Sequence, residues 1–206
     1  MTPFTRFSAA SGVLCGLFIG VPGAVEAVTG ETAPTSFVLG VSPALAVPLL
    51  TALYLGQRER AGTAGLVAYA VNLIGLGLFG GAAYTLNIAL FYLDRTALAA
   101  LLQGPTRAVL LGSAVVFAVG SVLFAISMVR ARVHPAVPAW GYGLTLAPFA
   151  LLAPLPDTVL TSALHVLAGA CLVWLALSLR VPETGPASCL AGARRVSGSE
   201  EKAERG

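Results

Sequence analysis

Four residues of this 206-residue chain carry side chains suited to holding a ligand: His165, Thr161, Asn72 and Tyr69. His165 lies in a long apolar run beginning near Thr158. At about 100° per residue, Asp157, Thr158, Thr161, Ser162 and His165 fall within about 140° of arc and make one polar stripe on a helix. Histidine titrates near neutral pH, so His165 could carry a proton or contact a ligand in an outward-opening cavity. It could equally be a neutral group bonded to a neighbouring helix. Asn72 and Tyr69, three residues apart, share a face of another apolar run. A buried Asn there could line the same cavity or serve as polar glue between helices. Glu26 follows Pro22 and Gly23 at the end of the first run. With Asp157 and His165 it forms the weak catalytic candidate set, a carboxylate pair above an imidazole that could bind a cation or act as general acid and base.

No Walker A loop, HExxH, GxSxG or spaced metal cluster occurs. The three cysteines, Cys15, Cys171 and Cys189, form no CxxC and no His pairing at ligand spacing. His134 and His165 fall near opposite membrane faces, which disfavours haem, and the apolar runs hold no Lys for a retinal Schiff base. We therefore expect no metal and no cofactor. The net charge of +3 comes from scattered Arg without interleaved aromatics, so nucleic acid is not an expected partner.

The elements that must position these residues are written in the composition. Hydrophobic residues make up 57% of the chain and charged residues 10%; a soluble domain carries roughly 25% charge. The reading is an all-α polytopic transmembrane bundle of six spans, about 7–28, 36–55, 62–83, 108–129, 136–153 and 158–179. Together they make a membrane domain over 1–180. Gly80-Gly81 is the expected break in the long third run. Asp94 could cap a short interfacial helix over 95–103, and Asp157 is placed to cap the sixth helix. Residues 181–206, rich in Glu, Arg, Ser, Gly and Pro, read as a disordered cytoplasmic tail.

Charge sets the orientation. With the N-terminus in the cytoplasm, that side holds Arg6, Arg58, Arg60, Arg130, Arg132, Arg180, Arg194, Arg195, Lys202 and Arg205, against only Arg95 and Arg107 outside. Both termini are then cytoplasmic, and the location is a multi-pass protein of the cytoplasmic membrane. Residues 1–27 also fit a cleaved signal peptide ending near Val25-Glu26-Ala27, which would leave five spans. Arg58-x-Arg60 and Arg130-x-Arg132, 72 residues apart, faintly suggest a duplicated hairpin.

Gly12, Gly16 and Gly20 form a small-xxx-small stripe on the first helix, suited to close packing against another helix, a second copy or a partner subunit. Pro43, Pro48 and Pro148 should kink the second and fifth helices. Three functions fit. The first is small-solute binding or transport through a cavity lined by the sixth and third helices. The second is an accessory or structural subunit without catalysis. The third is an intramembrane enzyme acting on a lipid-like or isoprenoid substrate. Beyond the lipid bilayer, the expected partners are a small-molecule ligand and a homo-oligomer or partner subunit.

Overall fold

The computed structural model describes residues 2–152 and 158–179. Among them every regular element is helical: α1 (Pro3–Thr29), α2 (Ala33–Tyr84) continued by a π-helical turn (Thr85–Ala89), α3 (Arg95–Leu101), α4 (Pro105–Ala131), α5 (Ala136–Leu152) and α6 (Val159–Ser178). Four helical stretches are long and apolar enough to cross a membrane: Pro3–Thr29, Ala33–Ala89, Pro105–Ala131 and Val159–Ser178. The fifth helix is shorter, at 17 residues.

Local chemistry explains the starts. Thr2 caps α1 by accepting from the Thr5 amide, ahead of a proline at the first turn. Thr32 and Thr158 form reciprocal capping boxes with Thr35 and Thr161. The cap of α6 is thus Thr158, one residue beyond the expected Asp157, which lies outside the described residues, as does the tail 181–206. Asp94 accepts from the Thr96 and Ala97 amides at the head of α3.

Two breaks differ from expectation. The polar stretch after Leu55 stays helical, and the chain reverses at a single residue, Gly62, with φ 57° and ψ −152°. That conformation is essentially closed to residues with a Cβ, so one glycine does the work assigned to a loop. The two arms of α2, 33–61 and 63–84, run antiparallel: Tyr54 stacks on Tyr69 at 4.5 Å, and a methyl group added at Gly80 would meet the Pro43 ring at 2.8 Å. The Gly80-Gly81 pair does not break the helix. The helix passes through it and loosens into the π turn at Thr85, because two adjacent glycines lower helix propensity without removing a backbone donor.

Packing follows the chain: α1 against α6 and α2, α2 against α4, α4 against α5, and α5 against α6. The core holds Leu49, Leu50, Leu53, Phe124, Met128, Tyr142 and Leu175, all buried. Large apolar residues face outward on every long helix, among them Leu14, Ile74, Val115, Leu144 and Leu167. A surface of that kind is stable against lipid tails and costly against water.

Candidate functional site

Three groups of polar residues stand out along the bundle, apart from separate buried hydroxyls such as Ser8, Ser11, Ser36 and Ser42. The central one is built on Asn72, which is fully buried in the second arm of α2. Its amide nitrogen donates to the Tyr142 hydroxyl at 2.7 Å, and its carbonyl oxygen accepts from Ser121 at 3.2 Å. Asn72 therefore ties three helices, α2, α4 and α5, into one polar cluster. Close approach makes the cluster possible: a methyl group on Gly120 would stand 2.5 Å from the Asn72 Cα, and one on Gly75 equally near the Phe117 Cα.

The second group lies at the end that carries the Arg-x-Arg motifs. The amide nitrogen of Gln57 donates to Ser127 at 3.3 Å, while its carbonyl oxygen is buried without a partner. His134, in the turn between α4 and α5, donates through Nε2 to the Leu53 carbonyl at 3.0 Å. Burial lowers the imidazole pKa below its ordinary value, against the opposing pull of that bond. Tyr69 lies between this group and the central one. Its hydroxyl shares a 3.0 Å hydrogen bond with Thr51, and its ring leans on Tyr54 and Phe124.

The third group is at the opposite end. His165 of α6 donates through Nδ1 to the Thr161 carbonyl at 2.7 Å and sets its ring edge-on to Phe149 of α5 at 4.6 Å. It abuts Gly23 of α1, where an added Cβ would collide with the His165 Cβ. The Thr161 hydroxyl is used within its own capping box, donating to the Thr158 carbonyl. Glu26 sits one helical turn beyond Gly23 on α1.

The four residues selected for a ligand site thus divide between two places: Asn72 and Tyr69, one helical turn apart on the second arm of α2, and His165 with Thr161 at the far end. The helices meant to line one cavity, α2 and α6, share no packed interface. Sequence reasoning passed over Tyr142, Ser121 and Gln57. A lone Tyr, Ser or Gln within or beside an apolar helix gives no signal of its own.

The Gly stripe of α1 lies mainly against α6. A methyl group on Gly16 would stand 2.5 Å from the Gly169 carbonyl oxygen, and one on Gly12 2.8 Å from Ala176 Cβ and from a Leu49 methyl. The two best-formed hollows among the described residues are open apolar grooves, not enclosed chambers. The first, about 340 Å³, runs along α1 and α6 past Gly16, Gly20 and Trp174; the second, about 310 Å³, lies between α1 and α2. Among the described residues no three His, Cys, Asp or Glu side chains group as metal ligands.

No protein-family model, curated protein or solved structure matches this chain.

Proposed function

We propose that the chain is a six-pass protein of the cytoplasmic membrane, with both ends cytoplasmic, that works as a packed accessory or structural subunit. Each arm of α2 is long enough to cross, at about 1.5 Å per residue, and α5 reaches the lower limit of about 17 residues. The observation that carries the accessory reading is the cluster of Asn72, Tyr142 and Ser121. At the depth where a solute pathway would need open polar groups, the Asn72 amide is taken up by the two hydroxyls. Such groups hold helices in register.

The purified protein tests this. A scaffold is not stabilised by small solutes, and His165→Ala, although its lost packing lowers the melting temperature, leaves the association with other membrane subunits unchanged. A solute that raises the melting temperature of the wild type but not of His165→Ala overturns the reading.

A second reading keeps solute binding or transport, at the end where His165 stands. It is favoured by one observation: His165 is buried between α1, α5 and α6, with Gly23 making room for its ring and Glu26 one turn away. Its bond to Thr161 engages only Nδ1. The same solute screen separates the two.

A further inference from the structure

The chain reverses twice at the same end of the bundle, and each reversal presents an Arg-x-Arg pair. At Gly62 the arms of α2 turn, with Arg58 and Arg60 exposed just before it. At Arg132, in the left-handed region with φ 54°, α4 ends, with Arg130 and Arg132 exposed. These two turns are neighbours tied together. Ser127, one turn before Arg130, accepts from Gln57, the residue before Arg58, and lies 3.1 Å from where a Gly65 methyl group would stand. His134, two residues past Arg132, binds the Leu53 carbonyl and lies 3.5 Å from a methyl group placed on Gly56. Four exposed arginines and a single carboxylate, Glu59, are thereby carried on two turns braced to one another.

We infer that this platform binds the phosphate headgroup of an acidic membrane phospholipid, with the two Arg pairs, one from each turn, bridging it. The inference rests on the membrane reading above, in which this end lies at the cytoplasmic leaflet. The charge is complementary, and guanidinium forks match phosphate oxygens in pairs. The position is that of a headgroup: each pair sits at the end of an apolar helix whose outward face is lined by large aliphatic side chains, such as Leu55 and Val122. Basic clusters at this level between helices recognise anionic headgroups. The braces matter because a preset platform loses little freedom when it binds.

The test uses the purified full chain in micelles doped with equal phosphatidylglycerol and phosphatidylcholine, with retained lipid read by native mass spectrometry. The wild type retains phosphatidylglycerol in preference. The preference falls about fivefold for each arginine removed, and it vanishes in R58Q/R60Q/R130Q/R132Q. The quadruple Lys variant, with the charge but not the forks, keeps only part of it, and R107Q, at the other end, keeps all of it. Equal ratios for wild type and the quadruple Gln variant overturn the proposal, as does displacement of the lipid by inorganic phosphate at constant ionic strength. Alkaline carbonate extraction of membranes keeps the two readings apart. A chain that washes out fails the membrane reading itself, whereas a chain that resists extraction without a lipid preference fails only this proposal.

Discussion

Asn72 and Tyr142 are joined by a 2.7 Å hydrogen bond between two helices, α2 and α5, with both side chains buried. Seventy residues apart in the chain, they meet because glycines at 75 and 120 draw α2 and α4 together, and Ser121 bonds the other end of the same amide.

Removing Asn72 as Asn72→Ala strands the Tyr142 and Ser121 hydroxyls in an apolar core. The expected loss is about 1–2 kcal/mol, in line with polar contacts between membrane helices. Adding Tyr142→Phe and Ser121→Ala should recover part of it, because nothing unpaired remains. Unfolding titrations in mixed micelles over this mutant cycle measure the coupling. Purely additive losses would show that the cluster does not act as a unit.

Glycine substitutions should sort by neighbour. Gly16→Ala and Gly120→Ala drive a methyl group into opposing backbone, at 2.5 Å in each case, so the helices must separate and stability falls by about 1–3 kcal/mol or more. Gly20→Ala meets nothing nearer than 3.7 Å, and Gly77→Ala meets nothing within 4 Å, so both should be nearly neutral. Gly62→Ala also has open space but carries φ 57°, and should still cost about 1–3 kcal/mol through backbone strain alone. Thermal melts of the five variants check the order.

Gln57 is buried with its side-chain carbonyl unpaired. Gln57→Met keeps the volume and removes the stranded acceptor, losing only the long 3.3 Å bond to Ser127. The paired change with Ser127→Ala should be neutral or stabilising, by about 1 kcal/mol at most. A large loss in that pair, measured by the same melts, would mean the carbonyl has a partner that matters.

His134 makes stability depend on pH. Its folded pKa lies below the ordinary value, so the folded form favours the neutral ring. Above about pH 6.5 both states are neutral and the group contributes no slope. Below that, the unfolded chain takes up a proton that the folded chain resists, and stability falls as pH falls. Denaturation midpoints should decline below about pH 6.5 in the wild type and decline less in His134→Gln. Equal slopes would remove the assignment.

Much of this was legible in the sequence. An aspartate ahead of residue 95 and long uncharged runs report on the backbone locally, and such signals survive without knowledge of neighbours, whereas the threonines that cap α1, α2 and α6 were not singled out by spacing. Gly62 was legible only as the edge of a span. Its role as the entire turn depends on the polar residues 57–60 continuing the helix, which propensity permits but does not require. The candidate site was the least legible. Tyr69 and Asn72 share a face by spacing, yet one leans towards Thr51 and the other towards Tyr142.

By itself the sequence determined that this chain is helical, apolar enough over long stretches for a membrane, and basic at one set of turns. Those properties are sums over neighbouring residues, and hydropathy and charge need no partner to act. Which polar groups meet was decided only by the tertiary structure. A hydrogen bond depends on helix rotation and on backbones near enough to touch, and both are set by glycines and by packing partners far away in the chain. That is why His165 stands apart from Asn72 and Tyr69, and why the two Arg-x-Arg turns share one place.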